Sequence, residues 1–207
     1  MAHKAYYLQI LLLSDTLIGS AEGYGAVIDK DSVFDEVGLP FIPGKRVKGI
    51  LREQAELLDS FKLHRNNIKG LFGDQGLTDK NTEYVSVSNF VPEEYEENKT
   101  YLSHLIQEGQ ISRSEVINHF TSIKMMTSID ADGIAEETSL RTFRVLKKGL
   151  KFTGEITFNS DDFEFFKDVT SLTRRIGSMR NRGLGHIKCT VLDKPITFVK
   201  PENTPVL

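Results

Sequence analysis

The stretch GLPFIPGKRVKGILREQAE, Gly38 to Glu56, is where an irregular lead-in becomes a helix. Pro43 is pre-set for a first helical turn. Val47, Ile50, Leu51, Ala55 and Leu58 then recur at helical spacing, so the helix carries a core-facing stripe. Upstream, Tyr6 to Ser14 is an apolar run of strand length, read as a strand buried on both faces or the central strand of a sheet. The segment between them mixes glycines, carboxylates and small residues and reads as an irregular loop. The chain therefore opens as strand, loop, helix.

Downstream, NIKGLFGDQG reads as a short helix ended by a glycine-rich turn, and YVSVSNFV, Tyr84 to Val91, alternates as a half-buried strand does. Pro92 to Lys124 is an excursion of two short helical patterns. In the second, SRSEVINHFTSIK, a Ser cap has Glu115 close behind it. SLRTFRVLKKGLKFTGEITF reads as two strands joined around LKKG, with Gly149 punctuating the turn. DDFEFFKDVTSLTRRIGSM reads as a helix with an acidic start and a basic end, carrying Phe163, Phe166, Val169 and Leu172 on one face. NRGLG and a last strand, HIKCTVLD, follow. The order is α+β, close to the βαββαβ pattern of a ferredoxin-like unit.

The 207 residues fit one domain better than two, and 39% hydrophobic with 27% charged residues describes a globular chain with a real core. Lys and Arg number 26 against 29 Asp and Glu, so net charge alone points to neither nucleic acid nor membrane. Cys189 has no second cysteine to pair with, and Cys/His metal spacing is missing, which suits a reducing compartment. The apolar run after Ala5 is too short to span a bilayer and lacks a cleavage pattern. A cytoplasmic protein without a membrane partner is expected.

The cations are not spread evenly. One cluster is Lys45, Arg46, Lys48 and Arg52 on the first helix; a second is Arg141, Arg144, Lys147, Lys148 and Lys151; a third is Arg174, Arg175, Arg180, Arg182 and Lys188 around Gly183 and Gly185. Cations at a helix N-terminus oppose the helix dipole, a cost offset if an anion arrives, and the free N–H groups there favour phosphate. Glycines without side chains allow close approach of a backbone. A sugar-phosphate chain fits these clusters better than a mononucleotide, because GxxxxGK[ST] is missing. Asp29, Asp31 and Asp35 precede the helix and either shape a turn or serve catalysis by holding a divalent metal or orienting a 2′-hydroxyl. His64 and His186 are the rival acid–base pair.

Four segments, GAVIDKDSVFDEVGLPFIPGKRVKGILRE, LFGDQG, EETSLRTFRVLKKGLKFTGEI and RNRGLGHIK, together resemble the RAMP proteins of CRISPR systems. They are most similar to the single-domain backbone subunits of type III effector complexes. The resemblance runs from first strand to last and weakens in the Pro92 to Lys124 insertion. It implies one modified ferredoxin-like, RRM-like domain over residues 1–207, with a helical insertion near 92–124 and a β-hairpin thumb near 122–144. It implies guide RNA bound by Lys45, Arg46, Lys48, Arg52, Arg141, Arg180, Arg182, Gly183, Gly185 and Lys188. Sequence readout of complementary target RNA would rest on base pairing, and other effector subunits, including further RAMP subunits, would be partners. Aligning Leu39 and Pro40 with the family places its catalytic aspartate on Asp29, with Asp31 as neighbouring alternative. The implied chemistry is Mg²⁺-dependent, or similar divalent-dependent, attack of a 2′-hydroxyl on the next phosphate, with Asp29 at the metal. Lys45 and Arg46 stand where the family usually carries small hydroxyl residues. The alternatives are a metal-independent guide-processing endoribonuclease acting through histidine, and a non-catalytic structural subunit.

Overall fold

Two-residue alternation along the first strand sets the architecture. The computed structural model describes residues 3–19, 28–61, 68–73, 84–127, 132 and 139–192. Strand β1 (His3–Leu12) buries Tyr6, Leu8, Ile10 and Leu12 on one face. It is followed by α1 (Gly44–Ser60), the short α2 (Ile68–Phe72), two-residue strands β2 (Ser86–Val87) and β3 (Val91–Pro92), α3 (Tyr95–Gln107), α4 (Arg113–Phe120) and β4 (Thr121–Met126). Then come β5 (Arg141–Leu146), β6 (Lys151–Asn159), α5 (Phe163–Leu172) and β7 (Ile187–Leu192).

The main sheet is antiparallel, in the order β2-β6-β1-β7, with β3 also on β6. Taking β1, β2/β3, β6 and β7 as the four core strands, the first and third lie at the centre, which is the ferredoxin-like arrangement. β1 is the central strand and is buried on one face only. Helices α1 and α5 cover that face: Val47, Leu51, Ala55 and Leu58 of α1 are buried, with Ile50 packed at the margin. Phe166 of α5 stacks on Phe158 of β6 at 4.0 Å between centroids and tilts against Phe72 at 5.8 Å. Aromatic packing of this kind adds about 0.5–1.5 kcal/mol per pair beyond area burial.

Three expectations are corrected. The strands on either side of LKKG do not form a hairpin: β5 pairs with β4, whereas β6 pairs with β1, so the two lie in different sheets. The chain changes sheets because the first loop captures it, with the Leu146 N–H donating to Thr16 (2.8 Å) and the Gly149 N–H to Leu12 (2.7 Å). The buried face of α5 is Phe165, Phe166, Val169 and Thr170; Phe163 is at its edge and Leu172 is exposed. Its basic end is not helical, because Thr173 is extended and Arg174 and Arg175 lie beyond it.

The small sheet β4–β5, within the segment expected to be a thumb, has its own apolar base of Leu17, Phe143, Val145 and Leu184. Residues 128–131 and 133–138 of that segment lie outside the described residues, as do His64 and Asp74 to Gly76. The insertion forms a third cluster, in which Val116 packs with Val37 and Leu39. Ser112 and Glu115 make the expected capping box on α4.

Candidate nucleic-acid interface

Asp29 and Asp31 are brought beside β5 by backbone pairing across more than a hundred residues. The Asp29 N–H donates to the Thr142 carbonyl (2.9 Å), the Arg144 N–H donates to the Lys30 carbonyl (3.1 Å), and the Ser32 hydroxyl donates to the Arg144 carbonyl (3.0 Å). Alternation along this added edge separates the two aspartates by environment. Asp29 is exposed; its carboxylate accepts the Thr142 N–H at 2.7 Å and an Arg141 guanidinium N–H at 3.3 Å. The Thr142 N–H, and then Arg141, hold its carboxyl below the usual carboxylate range. Asp29 is thus a carboxylate facing solvent at neutral pH.

Asp31 is only 1% exposed and lies 2.8 Å from the Arg144 guanidinium. Burial raises its pKa, against the pull of Arg144, the Ser32 N–H and Arg113. Asp31 is thus enclosed and ion-paired, whereas Asp29 is exposed. Asp35, the third candidate, closes a turn by accepting the N–H groups of Val37 (3.0 Å) and Leu39 (2.8 Å).

Asp29 lines a cleft of about 350 Å³ together with Lys30, Met126, Thr127, Ser139, Arg141, Phe143, Met179 and Arg182. Three cations around one carboxylate suit a phosphodiester beside a proton acceptor. Sequence reasoning found Asp29, Arg141 and Arg182 and missed Lys30, Thr127, Ser139 and the methionines. No local pattern marks them, because the cleft is assembled from the first loop, the β4–β5 sheet and the segment before β7. Met179 is a non-glycine residue at φ 60, in the left-handed region, a conformation that recurs at functional sites.

The cations of α1 are mostly engaged within the chain. Arg46 donates to the Gly19 carbonyl. Lys48 donates to the Val85 carbonyl at 2.7 Å, lies over the Tyr84 ring, and has its pKa lowered by burial and then by Arg52. Arg52 pairs with Glu56 at 2.8 Å and donates to the Gly73 carbonyl at 3.1 Å. Lys45 is exposed. At the helix entrance the Gly44 N–H donates to Asn89 Oδ1 at 3.0 Å, and a Cβ on Gly44 would lie 2.3 Å from the Val87 carbonyl oxygen. The glycine after Pro43 therefore serves close packing of the chain on itself.

The same holds for part of the third cluster. Gly185, at φ 76, has the Ile176 carbonyl oxygen 2.0 Å from where a Cβ would be, so its missing side chain admits the protein's own backbone. Gly183, at φ 79, has open space around it. Arg180 pairs with Glu53 of α1 at 3.2 Å, which ties the glycine-rich segment to the helix, while Arg182 and Lys188 are exposed. In the second cluster, Lys147 donates to the carbonyls of Asn118 (3.2 Å) and His119 (2.6 Å) at the end of α4. His186 is exposed and stands outside the Asp29 cleft.

Among the described residues no cluster of three or more His, Cys, Asp or Glu is placed to hold a metal. Asp29 offers a single carboxylate, which matches the way Mg²⁺ is held by one or two carboxylates with phosphate oxygens and water completing its shell. Among the described residues no helix is long and apolar enough to cross a membrane.

A family model described as RAMP superfamily matches residues 9–188. No curated protein matches. Among solved structures, a chain of a type III-B Cmr-beta complex bound to cognate target RNA is similar with a TM-score of 0.67 at 14% identity, covering 91% of this chain and 97% of that one. A chain of the same type of complex in the apo state gives 0.64 at 14% identity, covering 90% and 96%. At such identity the likeness is one of fold.

Proposed function

The chain belongs to the RAMP superfamily, and on that premise we propose that it is a guide-RNA-binding backbone subunit of a type III CRISPR ribonucleoprotein that cleaves bound target RNA through Asp29. The supporting observation is the divergence of the two neighbouring aspartates: one is sealed in an ion pair, and the other faces a cleft ringed by Lys30, Arg141 and Arg182. The fold it shares with a chain of an RNA-bound Cmr-beta complex supports the same reading.

The chemistry follows from the groups present. The Asp29 carboxylate accepts the proton of a ribose 2′-hydroxyl, and the resulting oxyanion attacks the adjacent phosphorus. The bond to the 5′-oxygen of the next nucleotide breaks, leaving a 2′,3′-cyclic phosphate and, after protonation by solvent, a 5′-hydroxyl. Arg182, and Arg141 once it leaves its ion pair with Asp29, bind the non-bridging oxygens and stabilise the charge that develops there. A divalent cation at Asp29 would add charge neutralisation at the same phosphate. Guide RNA falls to the exposed cations Lys45, Arg182 and Lys188, with Lys48, Arg52 and Arg180 shaping the surface they stand on.

The test uses the complex reconstituted with guide RNA and a complementary target, with and without magnesium. Asp29→Ala is expected to abolish cutting while guide and target remain bound, and Asp31→Asn to retain cutting in whatever fraction stays folded. Unchanged cutting by Asp29→Ala, with guide still bound, would refute cleavage through Asp29.

A further inference from the structure

The helical insertion has no place in the reaction described above, yet its contacts converge on the loop between Asp29 and α1. The Tyr95 hydroxyl of α3 donates to Asp35 Oδ2 at 2.9 Å, while the other carboxylate oxygen of Asp35 closes the turn at Val37 and Leu39. Arg113, the first residue of α4, forks onto the Asp35 carbonyl through Nε (3.2 Å) and Nη2 (2.8 Å). The same guanidinium contributes to the field at Asp31. Lys99 of α3 pairs with Glu36 at 2.7 Å and lies over the Tyr95 ring. Gly38, at φ 96, is pressed against α4, where a Cβ would lie 2.8 Å from the Arg113 carbonyl oxygen. Finally, α4 runs into β4 without an intervening residue, and Lys147 of the following segment holds its C-terminal carbonyls.

The Asp29–Asp35 segment is therefore gripped from two sides. On one side is β5, through Thr142 and Arg144; on the other is the insertion, through Tyr95 and Arg113. We infer that the insertion is a brace, with Tyr95 and Arg113 as positioning residues that act through Asp35 to hold the Asp29 carboxylate at its cleft. Its positioning role rests on the reading of Asp29 given above; the mechanical coupling does not. Neither residue touches the cleft, and both bind backbone or turn-forming groups, which is how a positioning residue differs from one that contacts RNA. A catalytic carboxylate on a loop needs such support, because sites on loops are less exact than those on rigid elements.

The decisive experiment is amide hydrogen exchange on the guide-loaded complex carrying Tyr95→Phe or Arg113→Ala, followed by single-turnover cleavage. Loss of one such hydrogen bond is expected to speed exchange at Asp29, Thr142 and Arg144 by about five-fold, with α5 and the main sheet unchanged. At saturating target the cleavage rate is expected to fall by a similar factor with target affinity intact, and Arg113→Lys to restore part of it. Tyr95→Phe removes only a hydroxyl and decides the matter if Arg113→Ala does not fold. Unchanged exchange at those three amides, or faster exchange throughout the chain, overturns the brace. If wild-type complex does not cut through Asp29, the exchange result still answers for the insertion.

Discussion

Replacing Asp31 with Ala separates a structural aspartate from a reacting one. The Asp31 side chain is 1% exposed and Arg144 is 20% exposed, at 2.8 Å. Removing the carboxylate leaves a mostly buried guanidinium whose Nε already has no partner among the described residues. Breaking a buried pair from one side costs about 3–5 kcal/mol, and the residual solvation of Arg144 puts this case near 3 kcal/mol. The Ser32 N–H, 2.7 Å from Asp31 Oδ1, loses its acceptor as well, adding about 1 kcal/mol. A total near 4 kcal/mol corresponds to a fall in Tm of about 8–16 °C for a chain of this size. Thermal unfolding followed by circular dichroism reads that number directly. The double replacement Asp31→Leu with Arg144→Met should recover most of the loss, since no charge is then stranded. If Asp31→Ala melted like wild type and yet failed to cut RNA, the assignment of Asp31 to the scaffold would be wrong.

Gly44→Ala forces a Cβ toward the Val87 and Ser88 carbonyl oxygens at 2.3 and 2.4 Å, so it should cost about 3 kcal/mol by overpacking, visible as a lower denaturant midpoint with an unchanged m-value. Ser112→Ala removes the capping box of α4 and should cost about 1 kcal/mol, with faster amide exchange confined to the insertion and the loop it holds. The two aspartates should give opposite pH slopes in metal-free buffer. Asp31, raised in the folded state, contributes stability that is fully present below its ordinary value of 3.8 and lost as pH rises through its folded value, so wild type minus Asp31→Asn should fall with rising pH. Asp29, lowered in the folded state, contributes above 3.8 and loses that contribution as pH falls through its folded value, so wild type minus Asp29→Asn should rise with pH; equal slopes in urea titrations at several pH values would contradict both assignments.

Most of the core was legible because it rests on short-range periodicity. The stripe Val47, Leu51, Ala55 and Leu58 and the alternation in β6 each fix which face is buried before any long-range contact is known, whereas the apolar run of β1 showed a strand but not its one-sided burial. The LKKG segment misled for the converse reason. Two alternating runs around a Gly look alike whether they pair with each other or with partners elsewhere. The choice was made by Leu12 and Thr16, over a hundred residues upstream. Leu172 misled because the buried face of α5 runs through Phe166, Val169 and Thr170 to Thr173, which leaves Leu172 off it.

The site was half legible, and the division has one physical cause. Sequence supplies the charges but not their partners, and Arg46, Lys48, Arg52, Arg180 and Lys147 are spent inside the chain on Gly19, Val85, Gly73, Glu56, Glu53, Asn118 and His119. A cation already bound to a carbonyl can meet phosphate only by giving up that bond, so charge count overstates the surface open to RNA. Lys45, Arg182 and Lys188 face solvent, and Arg182 shares a cleft with Asp29 and its ion-paired Arg141. Binding should therefore respond unequally within a cluster. Neutralising Lys45 or Arg182 removes a phosphate contact and should lower the salt dependence of RNA affinity by about one counterion each. Neutralising Arg52, which holds Gly73 and Glu56, should instead loosen α1 against α2 and lower stability while leaving the salt slope in place.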